Sequence, residues 1–287
     1  MTKSSSYFIV GADGQLGSQL RELYPDATLV DRNEFDMTDP NAYGAINWGN
    51  YSAIINVAAM TNVDGAESES GRKLAWAVNA YAVGLLCATA VAHDLTLIHI
   101  SSDYVFDGTI SPHLEDESFA PHGVYGQTKA AGDIAVSVVP KHYILRTSWV
   151  IGNGKNFIGI MRELAEKGVS PSVVNDQIGR LTFTKTLADA ISHLLDASPE
   201  FGTYNVTNDG ESVSWADVAR LVFERSSRLS TDVTGVSTEE YYARKNGIAP
   251  RPLQSTLSLD KIKRTGFNPP LWPEEFELYW QQLTERS

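Results

Sequence analysis

Apolar residues in the first half of the chain fall in short unbroken runs, each followed by a longer stretch with helical spacing. The runs are Tyr7-Phe8-Ile9-Val10, Ala27 to Val30, Ser52 to Val57, Thr96 to Ile100 and Tyr143 to Val150. Ser18 to Tyr24 and the Ala-, Leu- and Val-rich stretch Leu74 to His93, which carries Asn79, are the clearest helical segments. A strand that is apolar at every position is covered on both faces, the condition of a parallel sheet between two layers of helices. The pattern predicts an α/β protein with a Rossmann-type doubly wound sheet, whose ligands sit at the carboxyl ends of the strands.

Beyond Gly152 the alternation loosens. Asn156 to Lys167 and Thr186 to Leu195 read as amphipathic helices with a strand-like Val173-Val174 between them, and Ser214 with Asp217 forms a capping box opening a helix through Arg225. Pro250, Pro252, Pro269, Pro270 and Pro273 predict turns and short helices at the end. The expected organisation is a dinucleotide-binding domain over 1–152, with 172–196 added to it. A smaller, interleaved C-terminal substrate domain takes 153–171 and 197–287.

The chemistry begins at Gly11, Gly14 and Gly17, which follow the first strand and open the first helix. Glycine is required where a backbone turns sharply, approaches a phosphate, or lets a helix pack on a strand. A helix N-terminus there offers free N–H groups and a positive dipole end to a diphosphate. The spacing is G-x-x-G-x-x-G rather than G-x-G-x-x-G. About twenty residues on, Asp31 ends the second strand where a carboxylate takes the adenosine ribose hydroxyls, and Arg32 beside it suits a 2′-phosphate. The pair leaves NADH and NADPH both open.

Tyr125 and Lys129 are four residues apart, so on a helix they share a face. A nearby ammonium is expected to lower the phenol's pKa and fit it for proton transfer to a carbonyl during hydride transfer. Ser102, just past the strand Thr96 to Ile100, is placed to hydrogen-bond the same oxygen.

Composition narrows the partners. The 287 residues carry 23 basic and 35 acidic side chains, a net charge of −12, which leaves no broad basic face for nucleic acid or anionic membrane. No run approaches the ~20 apolar residues of a membrane span, and the apolar stretch at the N-terminus is too short for a signal peptide. Cys87, the single cysteine, lies in the apolar run Leu85 to Ala88 and reads as a buried hydrophobe; the six histidines show no metal-ligand spacing. A cytoplasmic location is the expectation.

Together the glycine loop, Ser102 and the tyrosine–lysine pair resemble the extended short-chain dehydrogenase/reductase superfamily. Within it, Asn56 to Glu67 (NVAAMTNVDGAE), Ser101 to Gly108 (SSDYVFDG), Arg146 to Gly152 (RTSWVIG) and Arg251 to Ser255 (RPLQS) are similar to the branch that reduces dTDP-4-dehydro-L-rhamnose to dTDP-L-rhamnose. The resemblance covers essentially the whole chain. It implies that Gly14, Gln15 and Leu16 line the cofactor diphosphate, Asp31 and Arg32 meet the adenosine ribose, and Asp36 and Met37 flank the adenine. Ala58, Ala59 and Thr61 would line the nicotinamide-side ribose. It makes Tyr125 the proton donor, Lys129 the group that orients the ribose, and Ser102 (often threonine in the family) the supporting hydroxyl. Asp103, Tyr104 and Trp149 match sugar-pocket positions, Arg251 a partner for the sugar-nucleotide diphosphate, and Asn79 an anchor for a relay water. Gln19 stands where some members carry a glutamate used in a metal-bridged dimer, so no metal is expected. A homodimer, and fusion to or action beside a preceding epimerase, are implied partners. Ser102 is followed by Asp103 and Tyr104, not by the Asp-Glu pair of dehydratases. The alternatives are another NAD(P)-dependent sugar-nucleotide 4-ketoreductase or 4-epimerase, and a non-catalytic regulatory subunit of the same fold.

Overall fold

A computed structural model describes residues 3–285 other than Arg244 and Asn246. Strands β1 (Tyr7–Val10), β2 (Thr28–Val30), β3 (Ala53–Asn56), β4 (Thr96–Ser102) and β5 (His142–Thr147) form a parallel sheet with the edge strand Gly202–Asn205. Their order is Gly202–Asn205, β5, β4, β3, β1, β2. From β1 the chain moves outward to β2, then crosses back to β3 on the other side of β1. At that reversal the two connections leave in opposite directions, which opens a crevice above β1 and β3.

Both faces of the sheet are covered, which is why its strands have no polar face. Ile9 and Ile55 pack with Leu16 and Leu20 of the helix Gln15–Leu23 and with Leu187, Ile191 and Leu194 of the helix Thr184–Ala197. Phe8, Val10 and Ile54 point the other way, against Val83, Leu86 and Ala90 of the long helix Glu69–Ala92 and Val136 of the helix Val124–Ser137. Cys87 is buried in this second layer, as a small hydrophobe would be. The helix Glu69–Ala92 is long and apolar enough to cross a membrane by length and composition, unlike the expectation that no stretch is. Part of that apolar content, Ala82, Val83, Leu86, Cys87 and Ala90, is buried in the layer under the sheet, while Leu74, Trp76, Tyr81 and Val91 are exposed.

The smaller lobe has its own core, in which Ile151, Ile158, Leu181 and Phe183 meet Val218, Val222 and Phe223 of the helix Trp215–Arg225. Ser214 caps that helix through the capping box with Asp217. The proline-rich tail, expected as turns and short helices, ends in the helix Trp272–Glu285, whose Phe276, Tyr279 and Trp280 close this core. Pro273 stands in the first turn, where its missing N–H has no partner to lose. The edge strand Gly202–Asn205 pairs with β5, and Leu259 and Ile262 pack beneath the sheet. These segments fall inside 197–287, the stretch expected to belong to the substrate domain, yet they join the sheet. Val173, inside the 172–196 segment expected to join the first domain, packs in the smaller lobe. The lobes are therefore interleaved more finely than the sequence pattern indicates.

Candidate active site

The crevice above β1 and β3 is a cleft of about 690 Å³. Gly11, Gly14, Gln15, Leu16, Asp31, Arg32, Asp36, Met37, Ala58, Ala59, Thr61, Ser102, Asp103, Tyr104, Tyr125, Lys129 and Trp149 all line it. Residues drawn from six separate stretches of sequence thus converge on one cavity.

At its nucleotide end the walls are main chain. Gly11 has φ +103°, and a Cβ on it would lie 2.7 Å from the Ala58 nitrogen. Gly17 does not line the cleft. It sits behind the turn, where a Cβ would fall 2.1 Å from the Gly11 carbonyl oxygen, so only glycine lets the helix begin this close to β1. Gly14 caps Gln15–Leu23 with no side-chain hydrogen bond, so first-turn N–H groups face the cleft unclaimed by a capping side chain. Gln15 Oε1 is buried there without a protein partner. Asp31 Oδ1 accepts from the N–H groups of Asn33 (2.7 Å) and Glu34 (3.1 Å), which holds its carboxyl below the usual range. Arg32 is exposed, with only a 3.9 Å approach to Asp36. Asp36 in turn accepts from the N–H and hydroxyl of Thr38, and Met37 is buried beneath.

The opposite end is built from buried polar side chains. Tyr125 and Lys129 lie one turn apart on the helix Val124–Ser137, whose first N–H donates to Glu67 Oε1 at 2.8 Å. A carboxylate at a helix N-terminus is favoured by the dipole and fixes where the helix starts. Asn79, in a π-helical turn (Ala77–Tyr81), accepts from the Met60 N–H at 2.9 Å. It donates to the Met60 carbonyl and to Thr128 Oγ1, both at 3.1 Å. Its side chain thus pins the loop after β3 to the Tyr125 helix; the side-chain atoms bind protein groups. Ser102 Oγ donates to Asp103 Oδ1 (3.0 Å) and accepts from the Tyr104 N–H (3.2 Å).

Lys129 is wholly buried, and its Nζ donates to the Ile100 carbonyl at 2.6 Å and lies 3.3 Å from His99 Nε2. Burial pushes the amine down to about 8, against the opposing pull of Asp133. Tyr125 is pushed up to about 12, chiefly by burial, with a hydrogen bond from Ser102 acting the other way and the charges of Asp103 and Asp133 adding to the rise. The expected lowering of this phenol by Lys129 is therefore not found. Sharing a helix face does not aim Nζ at the hydroxyl, because the amine turns instead to the carbonyl of β4. Asp103, fully buried, is raised to about 6 by loss of solvent, only partly offset by hydrogen bonds from Ser255 and Ser102.

Trp149 lines the cleft with φ +49° and stacks on Trp215 at 3.8 Å between ring centres, which joins the cleft to the smaller lobe. Arg251 is not brought to the cleft wall. Its guanidinium donates to Asp64 Oδ1 at 2.8 Å and to the Ala249 carbonyl. Sequence reasoning passed over Asn56, His99, Asp133 and Arg146, a group of buried polar residues behind the lining. Asp133 and Arg146 pair at 3.0 Å with side chains almost wholly buried. The available signal was the strand pattern itself: His99 and Asn56 are polar residues in strands buried on both faces, where such a residue needs a partner.

A parallel doubly wound sheet, a glycine turn at its switch point, and a tyrosine, lysine and serine at the far end of one cleft define an oxidoreductase of the extended short-chain dehydrogenase/reductase type. The RmlD substrate binding domain model matches residues 6–285. The chain belongs to that family. It is 36% identical over 279 residues to the dTDP-4-dehydrorhamnose reductase of Mycobacterium tuberculosis, covering 93% of this chain and 89% of the relative. The spore coat polysaccharide biosynthesis protein SpsK of Bacillus subtilis is 34% identical over 283 residues, covering 96% of both. A crystal structure of dTDP-4-dehydrorhamnose reductase from Bacillus anthracis, in complex with NADP, superimposes with a TM-score of 0.88 at 33% identity, covering 96% of this chain and 98% of that one.

Proposed function

We propose that this protein reduces the C4 keto group of dTDP-4-dehydro-L-rhamnose to give dTDP-L-rhamnose, drawing hydride from NADPH or NADH. The observation that carries the reading is the meeting of Ser102 and Tyr125 at the floor of the same cleft whose other end is the Gly11–Gly17 turn. The cleft fits a dinucleotide: uncapped helix N–H groups for the diphosphate, the unpartnered Gln15 Oε1 for a donor on the ligand, and exposed Arg32 for a 2′-phosphate. Gly14, Gln15 and Leu16 would hold the diphosphate, Asp31, Arg32, Asp36 and Met37 the adenosine half, and Ala58, Ala59 and Thr61 the nicotinamide ribose. When bound, the nicotinamide supplies the hydride.

The residues of this chain supply the proton and its stabilisation. Tyr125 stays protonated because burial disfavours its phenolate, the state in which it can donate to the C4 oxygen as negative charge develops there. Ser102 turns its hydroxyl to the same oxygen. Lys129, wholly buried one turn from Tyr125, would orient the ribose. Asp103, Tyr104 and Trp149 surround the sugar, and Trp149 connects it to the smaller lobe. Arg251, held by Asp64 and the Ala249 carbonyl, keeps further N–H donors for the sugar-nucleotide diphosphate.

The test is a coupled assay of the purified protein with each nicotinamide and dTDP-4-dehydro-L-rhamnose. Oxidation of the nicotinamide with matching formation of dTDP-L-rhamnose is the expected result. Cofactor binding without oxidation would overturn the reaction while leaving the dinucleotide site intact.

A further inference from the structure

His99 sits on β4 three residues before Ser102, is 1% exposed, and reaches Lys129 rather than the cleft. Behind it, fully buried Asn56 at the end of β3 places its amide 3.0 Å from His99 Nδ1. The orientation of that amide is set by its other end, where Oδ1 accepts the Ala58 N–H at 3.2 Å. A backbone N–H can only donate, so the amide must present its NH₂ group to His99. Nδ1 is then the acceptor and the imidazole proton resides on Nε2. Burial, then the charge of Lys129, holds the ring well below its ordinary pKa and therefore neutral.

Nε2–H faces Lys129 Nζ at 3.3 Å. An ammonium there would set two donors against each other, whereas an uncharged amine offers a lone pair to Nε2–H. Nζ meanwhile donates to the Ile100 carbonyl in either state. The other charged groups nearby do not reach the imidazole. Asp133, one turn along the helix from Lys129, is paired with Arg146 of β5, and Tyr125 faces the cleft.

We propose that Asn56 and His99 are positioning residues for Lys129: Asn56 fixes the Nε2–H tautomer of His99, and that hydrogen favours the uncharged amine, keeping Lys129 able to exchange its proton near working pH. The inference deepens the reductase reading and rests on it for its kinetic consequence, but the tautomer itself is a property of the protein alone. Converting Asn56 to Asp inverts the arrangement, because a carboxylate accepts from Nδ1–H and leaves the Nε2 lone pair facing an ammonium.

The decisive measurement is nitrogen NMR of the wild-type protein labelled at histidine, without cofactor or substrate. His99, assigned by its loss in His99→Gln, is expected as the Nε2–H tautomer throughout the neutral range. A resonance of the Nδ1–H tautomer, or a ring titrating as imidazolium near neutrality, would overturn the proposal whether or not the protein reduces a sugar. In Asn56→Asp the tautomer is expected to switch, and the basic limb of the kcat–pH profile to move up by about one pH unit as the ammonium is favoured. His99→Gln is expected to move that limb less, with KM for the sugar nucleotide unchanged. A switched tautomer with an unmoved basic limb would break the link between His99 and Lys129.

Discussion

The two ends of the cleft are made of different material. At the nucleotide end the shape is set by main chain: Gly11 against Ala58, Gly17 against Gly11, and an uncapped helix start. At the end that holds Ser102 and Tyr125 it is set by buried polar side chains, many of them hydrogen-bonded to one another or to the main chain. Asn79 ties Met60 to Thr128, Glu67 seats the helix of Tyr125, and Asn56 backs His99, which backs Lys129. A surface made of backbone is damaged by adding atoms, and one made of buried polar groups by removing or recharging them. Binding and chemistry should therefore fail separately.

The largest separation is expected from Tyr125→Phe, which keeps the ring and removes the proton. It should lower kcat by about 10²- to 10⁴-fold while nicotinamide affinity, read by fluorescence titration, stays close to wild type. Comparable loss of binding and turnover would mean that the two ends are one unit. Gly17→Ala is the converse. Its Cβ meets backbone on two sides, at 2.1 Å from the Gly11 oxygen and 2.8 Å from the Ala12 carbonyl carbon, so the turn must open. Overpacking of this kind costs about 1–3 kcal/mol. Nicotinamide affinity should fall at least about tenfold, with little change in kcat at saturating cofactor.

Asp103→Asn probes the electrostatics of the sugar end through stability. The folded-state pKa of Asp103 lies near 6, above the ordinary 3.8, so the folded protein binds this proton more tightly than the unfolded chain. Its contribution to stability is present below pH 3.8 and is lost as the pH rises through about 6. The asparagine variant should gain on the wild type across that interval in denaturant melts, by about 3 kcal/mol at neutral pH. A constant difference between the two would show that Asp103 does not titrate there. The smallest effect is expected at the exposed rim. Arg32→Ser should weaken NADPH about tenfold relative to NADH and leave the melting curve unchanged.

The features legible in the sequence were those written in local pattern. The unbroken apolar runs marked β1 to β5 because both faces are covered, and the glycine turn was readable because its three residues are close in sequence. Tyr125 and Lys129 were readable as a helical pair. Their electrostatics were not, since the direction of Nζ depends on the Ile100 carbonyl and His99 of a strand some thirty residues earlier. The partner of Arg251 was hidden for the same reason: Asp64, to which it donates, is 187 positions away. The edge strand Gly202–Asn205 lacks a strong apolar run, and only its pairing with β5 makes it a strand. At the end of the chain, Pro273 reads as a breaker unless the register of the helix start is known.

The interleaving of the lobes has a consequence for recombination. Along the chain the polypeptide builds the sheet to Thr147, the smaller core from Ile151 to Phe183, and the sheet again through Asn205. It returns to the smaller core at Ala216, to the underside of the sheet at Leu259 and Ile262, and to the smaller core with Phe276 and Trp280. No single crossover point can exchange the sugar-facing lobe for that of a relative without dividing a core. An exchange of the smaller lobe in this architecture would therefore need several junctions at once, one at each point where the chain passes between the two cores.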